Sequence, residues 1–317
     1  MKAPKKGSPF YRWLGTLLAI GLLIYLLIKQ GWTEFLQALR NIPPIYFVAA
    51  VVAILMSRLM VCGRWYTLLR SSGVKISFAD AARLVFAGLF ASNFLPTTVG
   101  GDVIRLAGGV QLGLDGTRVT ASLIMDRLVG MAGMATLLPV GLPLVWKGIS
   151  LSSLIHGGWS AAGVLPLGGF IKKWWDKGVK FLHQLLDTFV FWMKHPMGLL
   201  GALLWTYAHE LFLFTTNWIL IRGSGESMAL WKIAGLWVLS YFVTLLPISI
   251  NGLGVQEVTI TYLFSTFGGI SMQTGLALAI LIRLLYLLAS LPGVIFLPSL
   301  MRPLKPQPSP EDEKATP

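Results

Sequence analysis

The chain has 317 residues, 55% of them hydrophobic and 12% charged, and this charged fraction is about half that of a soluble globular protein. Because its mean hydropathy is +0.71, the apolar side chains cannot all be buried in a water-soluble core. The composition excludes secreted, cytosolic and disordered proteins and predicts an all-α, polytopic integral membrane protein. The 26 Lys and Arg against 13 Asp and Glu then indicate membrane topology and contact with anionic lipid, and no nucleic-acid partner is predicted.

Two apolar segments open the chain. A basic N-terminal stretch leads into the first, at 13–28, which has the pattern of a signal peptide but is not followed by a small-x-small cleavage site. We therefore expect an uncleaved first span with its N-terminus in the cytoplasm. A second span is predicted at about 44–62, and the basic residues Arg64, Arg70 and Lys75 behind it place the next loop on the cytoplasmic side.

The next apolar segment, residues 78–112, is interrupted by the sequence LPTTVGGD at 95–102. Proline removes a backbone donor and paired glycines loosen the backbone, so a helix ends there. Inside a membrane, irregular backbone is tolerated only where protein or a water-filled cavity satisfies its polar groups. A re-entrant hairpin is therefore expected in preference to two ordinary spans. Residues 228–268 repeat the pattern around LPISINGLG at 246–254.

Four further apolar segments complete the membrane part. They lie at 118–146, 151–170, 197–221 and 276–300, and the second of them is weak because glycines dilute it. The prediction is a helical bundle of about six full spans and two re-entrant broken-helix hairpins, all within one membrane domain at 1–302. The tail at 303–317 is rich in proline and charge and is expected to be disordered, with a cytoplasmic C-terminus.

Residues 171–195 differ in kind from the spans, because apolar and basic side chains recur there on opposite faces of a helix. This pattern predicts a basic amphipathic helix on the anionic cytoplasmic membrane surface. A helix packed against the protein's own inner face has the same pattern, and the two interpretations are compatible.

The two interruptions resemble each other, since LPTTVGG at 95–101 aligns with LPISING at 246–252. Each follows an aromatic-rich apolar helix, and each precedes an arginine in apolar surroundings, Arg127 or Arg283. If residues 171–195 are cytoplasmic, the first hairpin enters the membrane from inside and the second from outside. The two halves then form an inverted repeat, which is the architecture of many transporters.

Charged side chains occur where lipid-facing residues would be apolar. They are Arg58, Asp102, Arg105, Asp126, Arg127, Glu210, Glu257 and Arg283. An uncompensated charge at the bilayer centre costs at least about 2.5–3.5 kcal/mol, so these residues must pair or line a polar path. A structural ion pair explains any one of them as well as a function does, but their grouping at two breaks favours a functional cavity.

The spacing of these charges predicts some of their partners. Asp102 and Arg105 stand on one helical face and can pair locally. Asp126 and Arg127 point about 100° apart, so each needs a different partner. Glu257 follows the second break, where an acid in the first turn also interacts favourably with the helix dipole.

Glycines at the breaks allow close helix packing, and they have a second use. Backbone N–H groups left free at the N-terminus of a half-helix bind anions. The candidate residues are Gly100, Gly101, Asn251, Gly252 and Gly254. With arginines nearby, such a site suits a lipid phosphate, because the planar guanidinium binds two phosphate oxygens at once.

The sequence has no evident catalytic motif. It contains no Walker A, HExxH or DxxD pattern and a single cysteine, so no cofactor and no metal site are predicted. Thr206, Glu210 and Asn217 share one helical stripe, whereas His209 and Glu210 are adjacent and do not face each other. An enzyme acting on a lipid headgroup, with Asp126, His209 or Glu210 as base, is the alternative to a binding role.

Four motifs resemble the transmembrane region of lysylphosphatidylglycerol synthase/flippase proteins. They are RWYTLL at 64–69, FASNFLPTTVGGDVIR at 90–105, SLIMDRLVG at 122–130 and PISINGLGVQE at 247–257, within a resemblance that covers about 12–302. The resemblance implies a multi-pass protein of the bacterial or archaeal cytoplasmic membrane. Full-length members couple lysine transfer onto phosphatidylglycerol with movement of the product lipid to the outer leaflet. Synthase activity is not expected here, because no segment outside the membrane is long enough for the aminoacyl-transfer domain. Asn251 stands where the family's second motif more usually has glycine.

The resemblance and the charges together predict a lipid translocase for an anionic or amino-modified phospholipid or a polyprenyl-phosphate lipid. The arginines would contact the phosphate, and the acids would position them, bind a cationic headgroup or take a coupling proton. Two other interpretations stay open: the headgroup enzyme, and a non-transporting protein that presents lipid to a separate lipid-synthesising enzyme.

Overall fold

The computed structural model describes residues 40, 42–93, 100–146, 196–246, 249 and 252–300, with side chains up to 296. The predictions for 13–28, 151–170, 171–195 and 303–317 lie outside these residues. The secondary structure within them is helical, without a strand. The helices are α1 (Pro44–Ser71), α2 (Phe78–Ser92), α3 (Gly100–Gln111), α4 (Gly116–Thr136), α5 (Leu138–Trp146), α6 (Pro196–Gly223), α7 (Leu230–Leu245), α8 (Val255–Thr266), α9 (Met272–Ser290) and α10 (Pro292–Leu300).

Several of these helices begin where the sequence supplies a helix start. Pro44 occupies the first position of α1, where its missing N–H is not needed. The hydroxyl of Ser77 accepts a hydrogen bond of 3.1 Å from the Asp80 N–H at the start of α2. The carboxylate of Asp115 accepts one of 2.8 Å from the Thr117 N–H at the start of α4.

Three helical segments are long and apolar enough to cross a membrane, and the bent pair α4–α5 makes a fourth candidate within the described part of the chain. Helices α1 and α6 have 28 residues each, about 42 Å of helix against a hydrocarbon core of about 30 Å. The third segment is Met272–Phe296, and α4 and α5 meet at an angle of 46°. These segments coincide with the spans predicted near 44–62, 118–146, 197–221 and 276–300.

One boundary differs from the sequence prediction. Helix α1 continues to Ser71, so Arg64 lies within the helix and not in a following loop. The helix continues because the sequence after residue 62 has no proline or glycine pair to end it. In this stretch, Gly63 packs against the Trp205 ring and Arg64 forms an ion pair with Asp126.

Helices α1 and α6 pack antiparallel along their whole length. Gly198, near the start of α6, lies against Ser71 at the end of α1, and Gly223, at the end of α6, lies against Tyr46 near the start of α1. This pair defines two ends of the bundle, which we call the Ser71 end and the Pro44 end.

Helices α2 and α3 form a hairpin that opens at the Ser71 end, and we call it the first hairpin. A short loop connects α1 to α2 there, and the chain after α3 returns to the same region. Leu112 and Leu114 line a cavity together with Arg70 and Lys75. The end of α2 and the start of α3 are therefore directed into the bundle.

Helices α7 and α8 form a second hairpin, which opens at the Pro44 end. Helix α7 follows the loop after α6, and Gly268, just beyond α8, packs against Met228 of that loop. The break at 246–254 is therefore directed into the bundle from the opposite end.

Helix α9 runs from the Pro44 end of the bundle to the inner end of α2. At the Pro44 end, the Ser271 hydroxyl at its N-cap donates to the Glu226 carboxylate at 2.6 Å. Near its other end, the Ser290 hydroxyl accepts a hydrogen bond of 2.8 Å from the Asn93 side chain at the end of α2. Helix α9 thus passes from the second hairpin to the first.

Close backbone contact holds the two arms of the first hairpin together. Gly100 and Gly101 are the buried first residues of α3, and a Cβ on Gly101 would lie 2.5 Å from the Gly88 carbonyl oxygen. We expect Gly101→Ala to lower the free energy of unfolding by about 1–3 kcal/mol, because the arms must separate. Gly109→Ala is the control, since its new Cβ would meet Val119 at an ordinary 3.4 Å. Thermal unfolding in detergent measures both variants, and equal shifts would contradict this account of the packing.

Candidate functional site

Three arginines and two aspartates form one connected network between α1, α3 and α4. We call it the first charge cluster; its members are Arg64, Asp102, Arg105, Asp126 and Arg127. Asp126 accepts from Arg64 Nε at 2.7 Å and from both terminal nitrogens of Arg105 at 3.1 Å. Asp102 accepts from Arg105 Nη1 at 3.2 Å and from Arg127 Nε at 2.5 Å. The cluster therefore gathers three arginine side chains around two aspartates.

Arg105 lies at the centre of this cluster, and its side chain is only 9% exposed. Its guanidinium stacks on the Trp65 ring, 4.1 Å from the ring centroid. Trp65 is fully buried and is fixed by a hydrogen bond of 3.1 Å from its Nε1 to the Ser122 hydroxyl. Stacking and two carboxylates therefore hold the Arg105 cation in one orientation.

Exposure increases from one side of the first charge cluster to the other. The Asp126 side chain is 4% exposed and that of Arg64 is 11% exposed. The Asp102 side chain is 16% exposed and that of Arg127 is 44% exposed. An anion that approaches the cluster would therefore meet Arg127 first, while Asp126 anchors the buried side.

The ion pairs confirm two predictions from spacing. Asp102 and Arg105 pair locally, and Asp126 and Arg127 have different partners. Arg64 was not predicted as a member of the site, because it was assigned to a loop. No proline or glycine pair stands before Arg64 to end the helix, and this absence could have predicted that Arg64 lies inside α1.

A second charge cluster lies at the break of the second hairpin. The Arg283 Nε donates to one carboxylate oxygen of Glu257, and the other oxygen accepts the Gly254 N–H at 2.8 Å. The Arg283 Nη2 donates to the Gln256 side chain at 3.2 Å and to the Gly252 carbonyl at 3.4 Å. Arg283 thus ties α9 to the backbone of the break.

The glycines of the second break have a definite structural role. Gly252 and Gly254 have φ values of 69° and 78°, which residues with a Cβ rarely adopt. The Gly254 N–H, a candidate to bind an anion, already donates to Glu257, so this group is not free in the structure. Asn251 lies outside the described residues.

The two clusters share one construction. Each places an acid in the first turn of the helix after a break, Asp102 in α3 and Glu257 in α8. Each acid pairs with an arginine further along the chain, Arg127 after 25 residues and Arg283 after 26. This common spacing extends the likeness between the two breaks from their sequence to their ion pairs.

Two charged residues stand apart from both clusters, near the middle of α1 and α6. The Arg58 guanidinium stacks on the Tyr286 ring at 4.3 Å. Glu210 is 3% exposed, and its Oε2 has no hydrogen-bond partner. Within the described ranges, neither residue forms an ion pair. Thr206 and Asn217, on the predicted stripe with Glu210, are both completely buried.

His209 does not face Glu210. Its Nδ1 lies 2.6 Å from the Ser57 hydroxyl of α1, and Ser57 is completely buried. The separate directions predicted for these adjacent side chains are therefore confirmed. Among the residues that the structure describes, no group of His, Cys, Asp and Glu side chains has the arrangement of a metal site.

A cavity of about 430 Å³ opens at the Ser71 end, between the α1–α2 and α3–α4 loops. It is lined by Arg70, Lys75, Ile76, Ser77, Asp80, Leu112 and Leu114. Basic and apolar side chains thus lie side by side at the end of the bundle where the first hairpin opens.

The comparison with known proteins identifies a family. The family model described as "Lysylphosphatidylglycerol synthase TM region" matches residues 12–293. The match covers both hairpins and both charge clusters, and it confirms the resemblance found in the motifs. No curated protein matches the chain.

Proposed function

The chain belongs to the lysylphosphatidylglycerol synthase transmembrane-region family and is a multi-pass membrane protein, and from this premise we propose that it is a lipid translocase. Its cargo is an anionic or amino-modified phospholipid or a polyprenyl-phosphate lipid. The proposed location is the cytoplasmic membrane of a bacterium or archaeon, with both termini on the cytoplasmic side.

The first charge cluster is the observation that best supports this proposal, because it brings three arginines together and presents one of them, Arg127, to an approaching anion. The phosphate of a lipid headgroup is such an anion, and guanidinium groups bind its oxygens in pairs. Arg127, which is 44% exposed, is the arginine of the cluster that an entering headgroup can reach.

The two hairpins support an inverted architecture for the proposed translocase. We assign the Ser71 end to the cytoplasm, because Arg70 and Lys75 lie there. The first hairpin then enters the membrane from inside and the second from outside, as two re-entrant elements beside about six full spans. The glycine breaks would meet near the midplane, where transporters of this architecture hold their substrates.

Arginines at successive depths provide a path for the phosphate. Arg64 of the first charge cluster and Arg58 are on the same helix, about 9 Å apart along its axis. Arg58 stacks on Tyr286, which is one turn from Arg283 on α9. A headgroup that leaves the first cluster would therefore meet Arg58 and then Arg283 without losing contact with a cation.

Two further parts of the proposal concern partners. The basic segment at 171–195 would bind the anionic cytoplasmic surface of the membrane. A separate lipid-synthesising enzyme would supply the cargo, since the proposed translocase changes the leaflet of a lipid and not its chemistry.

Mass spectrometry of the lipids that co-purify with the protein in mild detergent tests this function. We expect one anionic or polyprenyl lipid to be enriched over the source membrane. Arg105→Ala should reduce the enrichment about tenfold or more, because charge-assisted hydrogen bonds contribute about 1.5–3 kcal/mol each. Arg105→Lys should be intermediate, since it keeps the charge but loses the planar fork. Arg83→Ala is the control, because the Arg83 side chain is 58% exposed in a surface ion pair.

The possible results separate the competing functions. A lipid profile like that of the whole membrane would contradict cargo binding. Conversion of the bound lipid to a new species would support a headgroup enzyme instead. Specific binding without leaflet exchange in reconstituted vesicles would support a protein that presents lipid to an enzyme.

A further inference from the structure

We infer that Glu210 takes up a proton when the anionic headgroup binds, so that the proton gradient drives lipid movement; this inference rests on the proposed function. It assigns to one residue a role that the sequence left open among four acids. Two observations support it: the other carboxylates already form ion pairs with arginines, and a particular set of groups surrounds Glu210.

The three other carboxylates in apolar surroundings are each fixed by an arginine. Asp126 binds two arginines, Asp102 binds two, and Glu257 binds Arg283 as well as the Gly254 N–H. Loss of their charge would leave buried cations unpaired, so a proton is disfavoured there. Glu210 has no ion-pair partner within the described ranges. Protonation of Glu210 therefore leaves no cation without its ion-pair partner.

Four helices pack against α6 around Glu210. Helix α1 supplies Arg64, the charged side chain that acts electrostatically on Glu210. Helices α7 and α9 supply the hydroxyl groups of Tyr241 and Tyr286, which are also within electrostatic range. Helix α4 approaches α6 at this depth through Gly133, which packs against Thr206.

The charges of α1 and α4 lie further away. Arg58, about two turns from Arg64 on α1, stacks on the ring of Tyr286, whose hydroxyl is within electrostatic range of Glu210. The nearest charges on α4 are Asp126 and Arg127, about two turns from Gly133, and they are engaged in the first charge cluster. Glu210 is thus the isolated carboxyl group beside a row of arginines.

Proton and phosphate binding are coupled by this arrangement. A proton from bulk water forms one O–H bond on the Glu210 carboxylate, which becomes a neutral carboxylic acid, and no electron is transferred. Neutral Glu210 no longer repels a phosphate. The phosphate and the proton therefore favour each other's binding by the same factor. Release of the proton on the other side of the membrane expels the phosphate.

Proton uptake during lipid binding tests the inference on the full-length protein in detergent. The probe is short-chain phosphatidylglycerol, added in weak buffer with a pH-indicator dye. We expect up to one proton to be taken up per lipid bound, with the full proton only at a pH above the titration of Glu210 in the lipid-free protein, and the affinity to fall by up to about tenfold per pH unit there. Glu210→Gln should bind the probe without proton uptake and without this pH dependence. Glu226→Gln is the matched control and should retain both, because Glu226 lies in the loop after α6.

The outcomes distinguish this inference from the function on which it rests. If the wild-type protein binds the probe without proton uptake, or if Glu210→Gln still takes up the proton, the inference is wrong and the translocase proposal stands. If the wild-type protein binds neither phosphatidylglycerol nor a proton, the inference is wrong, and mass spectrometry of the co-purified lipids decides the translocase proposal separately. If Glu210→Gln does not fold, infrared difference spectra of the wild type and Glu210→Asp decide. A new carboxylic-acid band upon lipid binding that shifts in Glu210→Asp supports the inference, and an absent or unshifted band overturns it.

Discussion

We expect Asp126→Asn to lower the free energy of unfolding by about 3–5 kcal/mol. Asp126 is the common partner of Arg64 and Arg105, and its side chain is 4% exposed. Asparagine has nearly the same shape but no charge, so both arginines would remain buried without this counter-ion. Breaking a buried ion pair from one side costs about this much, because an uncompensated charge stays in a poorly solvated site. Unfolding of the purified protein in mixed detergent micelles measures the change.

Two further variants test this explanation. Asp80→Asn removes an aspartate from an exposed ion pair with Arg83 and should cost less than about 1 kcal/mol. Asp126→Asn combined with Arg64→Gln should recover part of the lost stability, since one of the two stranded cations is gone. An Asp126→Asn protein as stable as the wild type would show that the network does not hold α1, α3 and α4 together.

We expect Arg127→Gln to slow lipid movement between leaflets by about tenfold to a hundredfold while the protein stays folded. The Arg127 side chain is 44% exposed, so its ion pair with Asp102 contributes little to stability after solvent screening. Its guanidinium is the accessible donor of the first charge cluster, and the loss of one charge-assisted contact costs about 1.5–3 kcal/mol. Reconstituted vesicles with a trace of fluorescent phosphatidylglycerol and an external quencher measure the rate.

Arg83→Gln provides the control for this measurement. It removes an exposed arginine that also pairs with an aspartate, but at the start of α2 and outside both clusters. Its rate of lipid movement should equal that of the wild type. A wild-type rate for Arg127→Gln would remove Arg127 from the path, whereas equal losses in both variants would indicate a general effect of surface charge.

The break motifs of the two hairpins could be predicted because their causes are local. Proline and glycine end a helix by their own backbone chemistry, so the interruption at 95–102 and the one at 246–254 are evident from the sequence. The local pair of Asp102 and Arg105 also follows from helical spacing alone. The apolar composition determines the membrane class, because no soluble core could hold so many hydrophobic side chains.

Other features depend on contacts between residues distant in the sequence. Arg64 was predicted to lie in a loop because a basic residue after an apolar run usually does, and its partner Asp126 is 62 residues away. The Gly254 N–H was expected to be available to an anion, but Glu257 accepts it as a capping interaction at the start of α8, and the other oxygen of that carboxylate binds Arg283 of α9.

The sequence by itself determined the helical membrane class, the family, the two breaks and the charges that had to be satisfied. Only the tertiary structure decided which charged side chains form ion pairs with one another. Helical spacing fixes the direction of a side chain on its own helix, but the partner comes from another helix, whose register is set by packing such as the contact of Gly88 with Gly101. The isolation of Glu210 is the clearest example. Glu210 has no ion pair in the described part of the chain because the nearby arginines bind other groups.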